Sequence, residues 1–406
     1  MTPRAYIVGG AVRDALLGQP ASDRDWVVVG ATPAQLIAAG YKPVGRDFPV
    51  FLHPETGEEH ALARTERKSA PGYRGFNFHA APEVTLEQDL ARRDLTINAM
   101  ARDAEGTLID PFGGARDLRD GVLRHVSAAF AEDPVRLLRV ARFGARWPQF
   151  RVAPETQALL RQIVAAGEVD ALVPERVWQE LSRGLMEARP SRMVDLLRDC
   201  GALARLWPAL DRSWQPPPEP ADSAAQARGV MPGAQRMILL DHCAAVAAPL
   251  PVRHACLSYR LQDSAEALDF AGKLRVPSDC ADLADLLARE RDAVQASSGL
   301  GARALLELLE RCDALRRPPR FAHLLQACAC IEAALATPVD ALWPPGQRLE
   351  QALTLVQAVD ASAAAAAALA AGLQGPAVGQ AVREARVAAL GSCAGKDGQA
   401  VPRSRA

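Results

Sequence analysis

Two carboxylates two residues apart, Asp23 and Asp25, open an apolar run, Trp26-Val27-Val28-Val29. On a strand such positions share one face, so the pair would project together while Arg24 points away. Hard oxygen ligands at that separation suit Mg²⁺, with water and substrate phosphates completing its shell. Upstream, Gly9-Gly10 separates a short apolar stretch from an apolar, basic one that contains Arg13. Backbone N–H groups bared at Gly10 could approach a triphosphate, with Arg13 adding charge, although Gly pairs are also ordinary turn chemistry. The reaction such a set would serve is nucleotidyl transfer. One metal activates an attacking 3′-hydroxyl, and another holds the triphosphate and the departing pyrophosphate. Glu59, beside Glu58, is a candidate third carboxylate, with a surface acid as the competing reading. Arg93, in Arg92-Arg93-Asp94, could reach phosphate as a fork or sit in a surface ion-pair cluster. Asp94 suits capping or pairing better than metal binding.

A second group bears on selectivity. Arg136, Arg139, Arg142 and Arg146 recur every three or four residues, one stripe of a helix. A solvated basic face is the ordinary meaning of such a stripe, and Asp133 before Pro134 also reads as a helix cap. Asp133 and Arg136, however, are three apart on the first turn. Arg only donates hydrogen bonds and ionised Asp only accepts them. Cytosine, with its N3 and O2 acceptors and N4 donor, matches that pair, and so does adenine, with N1 and N6. Guanine and uracil would meet donor with donor and acceptor with acceptor, a mismatch that a buried site rejects strongly. One Asp/Arg pair could therefore admit CTP and ATP and refuse GTP and UTP without a nucleic-acid template.

The elements that must position these residues follow from the patterning. Residues 5–8, 25–29, 50–52, 59–64 and 107–110 read as strands, and 11–17, 33–39 and 85–101 as helices. That makes an α/β or α+β first domain of about five short strands over residues 1–125. The 65–82 stretch, rich in Pro, Gly and charge, reads as a long loop of the length usually kept for function. Helical patterns dominate from Asp133 onward, and we read 126–215 as a helical region. A Pro-rich linker follows at 216–233, a second all-helical region at 234–392 and a disordered tail at 393–406. The 406 residues are 49% hydrophobic with net charge −1, which excludes nucleic-acid binding by bulk charge and leaves local patches. Eight Cys without CxxC or His at zinc spacing read as buried reduced thiols. With no signal peptide or membrane-length apolar run at hand, a cytoplasmic protein is the expectation.

These motifs resemble the bacterial class II CCA-adding enzymes, the tRNA nucleotidyltransferases. The similarity lies in VGGAVRDALLG (8–18), DRDWVVVG (23–30), VGRDFPVFLHPETGEEHALARTERK (44–68), RRDLTINAM (92–100), DPFGGARDL (110–118) and EDPVRLLRVARF (132–143). It is close over residues 5–210 and thin beyond, apart from GLQGPAVGQAVREARVAAL (372–390). The resemblance implies a polymerase-β-like nucleotidyltransferase head followed by an all-α neck, body and tail. It implies a Mg²⁺ site at Asp23 and Asp25, and nucleotide contacts at Gly10, Arg13, Arg93, Arg139 and Arg142. It makes Asp133 and Arg136 the protein template that reads C and A, and 65–82 the flexible loop associated with passing from C to A. The partners it implies are tRNA, at its acceptor end and elbow, with CTP and ATP; no membrane or protein partner is expected. Bacterial poly(A) polymerase shares such a head but usually carries a long basic C-terminal extension, and this tail holds only Lys396, Arg403 and Arg405. A catalytically dead tRNA-binding protein would not need the intact Asp23/Asp25, Arg13 and Asp133/Arg136 set. One departure stands out. Relatives of this length often carry a C-terminal HD phosphohydrolase domain whose His-Asp follows a Val-Arg-x-Ala-x-Leu segment. Here Tyr259 and Arg260 stand in those places, after Val252-Arg253-His254-Ala255-Cys256-Leu257-Ser258, and the earlier His falls near Gln235. We therefore expect a helical, tRNA-contacting region without hydrolase activity.

Overall fold

The computed structural model describes residues 2–20, 24–44, 50–68, 76–215, 231–261, 272–335 and 343–394. Asp23, residues 69–75 of the expected loop, most of the Pro-rich linker and the tail from residue 395 lie outside the described residues. The chain forms two compact units, residues 1–212 with 272–275, and residues 213–271 with 276–406.

The first unit begins with strand β1 (Arg4–Val8), helix α1 (Gly10–Leu16), strand β2 (Asp25–Val29) and helix α2 (Pro33–Ala38). Strands β3 (Lys42–Val44), β4 (Val50–Leu52), β5 (Glu59–Leu62), β6 (Arg64–Lys68) and β7 (Phe76–Ala80) follow, then helix α3 (Leu86–Ala91). With β8 (Ala101–Arg102) and β9 (Leu108–Ile109), the main sheet has seven strands in the order β3-β4-β5-β2-β1-β8-β9. It is a mixed sheet: β2 and β5 run parallel and the other neighbours antiparallel. Alternation along β2 covers both faces. Val27 packs with Val8, Leu90, Ala99 and Ala101, whereas Val28 packs with Leu36, Phe51 and Leu62. Helices α2 and α3 each begin with a full capping box, Thr32 with Gln35 and Thr85 with Gln88, which sets where they start.

Three local expectations are corrected. Strand β3 was missed because Pro43 lies within it, and Pro is tolerated there because β3 is at the sheet's edge. The described part of the stretch read as a 65–82 loop includes a β-ladder, with β6 paired antiparallel to β7 from Arg64↔Ala80 to Lys68↔Phe76. The helix expected over 85–101 ends at Ala91. After it, the Asp94 carboxylate accepts the Leu95 N–H at 2.8 Å, a local bond that competes with the helical ladder. The chain then makes a 3-10 turn, Thr96–Asn98, instead. Beyond the sheet come helices α4 (Gly114–Arg119), α5 (Val135–Arg146), α6 (Pro154–Ala165), α7 (Pro174–Leu185) and α8 (Ser191–Asp199). Pro at the start of α6 and of α7 fixes the dihedral there at no hydrogen-bond cost.

The described residues of the second unit are helical, with no strand among them. Leu239, Leu287, Leu308 and Phe321 form its core together with Cys243, Cys256, Cys312 and Cys328. Cys200, Cys243, Cys256, Cys280, Cys312, Cys328 and Cys330 are free and buried, and burial pushes the Cys280 and Cys312 thiols up to about 12. Arg236, on the helix Gly233–Ala245, is fully buried. Its Nη1 donates to the carbonyls of Leu257 (2.7 Å) and Tyr259 (2.5 Å), and its Nη2 to those of Met231 (3.2 Å) and Arg260 (3.3 Å). The guanidinium thereby satisfies carbonyls at the end of the helix Leu250–Ser258 that have no partner within it. Arg260 has a positive φ of 48° and pairs with Asp292 at 3.2 Å.

Candidate active site

The site is built at the β1–α1 junction. Val8 pairs with Asp25 at the head of β2, so β1 ends beside that carboxylate. Gly9 turns the chain at φ 71°, and its N–H donates to the Met100 carbonyl at 3.1 Å. A Cβ there would lie 2.7 Å from Nη1 of Arg93, so the absence of a side chain lets Arg93 lie against the backbone. Arg93 donates to Asp89 at 3.3 Å and to the Asn98 carbonyl at 3.5 Å, while Asp89 also accepts from Arg92. Burial would raise the Asp89 carboxyl, but Arg92 and Arg93 hold it below the usual range.

Arg13 projects from α1 and is only 5% exposed. It donates to Asp14 at 2.8 Å and to the Asn98 side-chain oxygen, and its guanidinium lies over the Phe143 and Trp147 rings at 5.4 and 4.9 Å. Burial lowers its pKa from the ordinary arginine value, and Asp14 works against that. Facing it, α5 carries the arginine stripe, which is not a solvated face. Arg136 and Arg142 are buried. Arg139 donates to Asp94 at 2.6 Å, and Arg142 donates to the buried Glu180 of α7, also at 2.6 Å. Burial alone would raise the Asp94 carboxyl, but Arg139, Asn98 and the Leu95 N–H hold it far below the carboxylate range. The Asp94 charge in turn raises Arg139. The reading of Asp94 as a pairing residue agrees with this geometry.

Asp133 precedes α5, and its carboxylate accepts the Val135 N–H at 3.3 Å. Arg136 donates from Nη1 to the Ala129 carbonyl at 3.0 Å, which fixes the guanidinium beside the same turn.

Gly10, Arg13, Asp25 and Arg93 line one cleft of about 590 Å³, together with Asp133, Arg136, Arg139 and Arg142. Its described lining holds nine arginines and four aspartates, in a chain whose net charge is −1. Such a surplus suits a polyanion such as a triphosphate. Asp25 is exposed at the cleft, and among the described residues no hydrogen bond or ion pair engages its carboxylate. A hard oxygen donor left open beside clustered arginines fits a divalent cation that shares its shell with phosphates. Glu59 is exposed and is not part of the cleft lining. The register nevertheless sets it next to Asp25, because each lies one residue before the parallel pair Trp26↔His60. Side chains at matching positions of adjacent strands share a face.

Four contributors escaped the sequence reading: Asn98, Arg176, Glu180 and the Phe143/Trp147 rings. Arg176 binds both oxygens of Asp133 from α7, about forty residues away. The i, i+4 spacing of Arg176 and Glu180 on one helix face was the available signal.

Known proteins resemble this chain over nearly its whole length. A family model described as the poly A polymerase head domain matches residues 5–124. A second, described as the probable RNA and SrmB-binding site of polymerase A, matches residues 149–213. The chain is 56% identical over 407 residues to a protein of Leptothrix cholodnii named multifunctional CCA protein, with 96% of each chain covered. It is 55% identical to the protein of that name from Verminephrobacter eiseniae, covering 95% of this chain and 98% of the other. Among solved structures it resembles the Bacillus stearothermophilus CCA-adding enzyme in complex with CTP, with a TM-score of 0.64 and 25% identity over 96% of this chain and 89% of that one. It shares its fold with the Thermotoga maritima CCA-adding enzyme complexed with tRNA, at a TM-score of 0.64 and 22% identity over 96% and 88%.

Proposed function

Since this chain belongs to the family of multifunctional CCA proteins, we propose that it adds C, C and A to the 3′ end of tRNA, consuming CTP and ATP and releasing pyrophosphate. One observation carries the reading: residues separated by more than a hundred positions, Asp25 and Arg13 on one side and Asp133 and Arg136 on the other, line a single cationic cleft.

The chain's own groups divide the work. Arg13, Arg93, Arg139 and Arg142 bind the triphosphate, each held in place by a carboxylate or an aromatic ring so that little order is lost on binding. The bare backbone at Gly10 lets the phosphates come close. Arg136 donates to the base and Asp133 accepts from its amino group, which suits cytosine and adenine and refuses guanine and uracil. Arg176 orients the Asp133 carboxylate for that task. The 3′-hydroxyl of the tRNA then displaces pyrophosphate from the α-phosphorus, in line. Asp25 together with Asp23 would hold a divalent cation, for which we propose Mg²⁺, with Glu59 as a third carboxylate. When bound, that cation lowers the pKa of the hydroxyl and offsets charge on the leaving pyrophosphate.

We divide the chain into a head (1–125), a helical neck and body (126–215), a linker (216–233), a helical C-terminal region (234–392) and a tail (393–406). We also place the reaction in the cytoplasm. We further propose that the C-terminal region has no phosphohydrolase activity. In support, Tyr259 is buried, Arg260 is paired to Asp292, and the described residues contain no group of three His, Cys, Asp or Glu able to hold a metal.

The test is incubation with tRNA lacking its 3′ end, Mg²⁺ and each labelled nucleotide. Incorporation of C, C and A followed by arrest is the expected result. A run of A would favour a poly(A) polymerase, and no incorporation would favour a tRNA-binding protein.

A further inference from the structure

We propose that Asn98 is a positioning residue whose single amide sets Arg13 and Arg139 in one arrangement for the nucleotide. The inference rests on the nucleotide-transfer reading and deepens it. Asn98 ends the 3-10 turn, and that turn is clamped from behind. Thr96 donates its hydroxyl to Asp117 at 2.8 Å, and its N–H donates to the Arg124 carbonyl at 2.9 Å. The start of α4 presses on the same turn: a Cβ at Gly114 would lie 2.2 Å from the Thr96 carbonyl oxygen. Asp110 holds that helix start by accepting the N–H groups of Gly114 and Ala115 at 2.7 and 2.9 Å. The turn therefore has little room to move.

Its side chain is 6% exposed and lines the cleft. The amide oxygen accepts from Arg13, and the amide nitrogen donates to Asp94 at 3.0 Å. The other Asp94 oxygen holds Arg139. Arg13 can only donate and ionised Asp94 can only accept, so the amide has one orientation that serves both. The Asn98 backbone carbonyl also receives Arg93. One residue thus joins three of the four cations assigned to the triphosphate, across the cleft from α1 to α5. Aspartate has the same shape but lacks the donor, and would set a carboxylate against Asp94.

The variants are Asn98→Asp and, should that chain not fold, Asn98→Ala, which adds no charge. Addition kinetics are measured with CTP and with ATP, and equilibrium binding of each nucleotide is measured without RNA. We expect KM and Kd for both nucleotides to rise by about tenfold or more and by the same factor. Exclusion of GTP and UTP should persist, because Asp133 and Arg136 are untouched. A residue with a merely structural role would lower Tm and leave KM and Kd alone. Folded variants with wild-type KM and Kd overturn the assignment of Asn98. A wild-type chain that adds no nucleotide overturns the underlying reading instead, and the binding measurement then still decides the role of Asn98.

Discussion

Arg176 holds Asp133 at two points, with Nη1 3.1 Å from Oδ1 and Nη2 2.7 Å from Oδ2. The fork fixes the plane of the carboxylate; Oδ1 also accepts the Val135 N–H, and Oδ2 keeps a lone pair for a base amino group. Lysine would keep the charge and lose the plane. Arg176→Lys should therefore raise misincorporation of GTP and UTP by roughly tenfold with little change in the KM for CTP. Asp133→Ala should admit both wrong nucleotides more freely still. Competition assays with labelled GTP and UTP check this; wild-type exclusion in both variants would sink the hydrogen-bond account of base choice.

The catalytic role proposed for Asp25 can be tested apart from the fold. It is exposed and unengaged among the described residues, so Asp25→Asn should leave Tm unchanged while lowering kcat by on the order of a thousandfold. EDTA should stop addition and Mg²⁺ restore it. Glu59→Gln is the companion test. A fall of roughly tenfold or more in kcat makes Glu59 a third carboxylate, and an unaltered rate makes it a surface acid.

The second unit should lose stability in mild acid. Burial pulls His254 from the ordinary 6.5 down to about 4. The folded chain therefore keeps this ring neutral where the unfolded chain already binds a proton. The contribution is present above pH 6.5, is lost as pH falls from 6.5 to 4, and amounts to at most about 3 kcal/mol. Urea unfolding at pH 7, 5.5 and 4 should show the decline, and His254→Gln should flatten it. Asp94 has the opposite protonation chemistry and acts lower. Its depressed pKa supports folding above the ordinary carboxyl value of 3.8, and that support fades as pH drops below it.

Hydrolysis of bis-p-nitrophenyl phosphate with Ni²⁺ or Mg²⁺ should be absent. Measurable turnover that disappears on changing His254, or His242 of the helix Gly233–Ala245, would show that a hydrolase centre survives.

The sequence revealed the carboxylate and arginine motifs because they are local: each is a spacing of two to four residues on one element. The strand at 25–29 and the helix near 33–39 were legible for the same reason, since a Val-rich run ending at Gly30 and a Thr cap before Pro33 need only neighbours. What stayed hidden depends on distant partners. Arg176 matters through Asp133, Asn98 through Arg13, and Glu180 through Arg142, contacts that span 38 to 85 positions. The arginine stripe of α5 looks the same in sequence whether it faces water or a cleft, and only the packing of α1 and α7 around it decides. The early end of α3 at Ala91 was illegible because one carboxylate, Asp94, takes a backbone N–H that the helix would have used.

The clamp made by Arg236 has an evolutionary consequence. The resemblance puts the missing phosphohydrolase dyad at Tyr259 and Arg260, and Arg236 donates to the backbone of both. Backbone carbonyls do not change with the side chain, so Tyr259→His with Arg260→Asp would leave the guanidinium where it is. Removing Arg236 would strand the Leu257, Tyr259 and Met231 carbonyls, whereas the Arg260 carbonyl would keep the Met231 N–H at 3.2 Å. The clamp thus tolerates substitution at positions 259 and 260, which it holds through the backbone, and constrains position 236, which supplies the guanidinium.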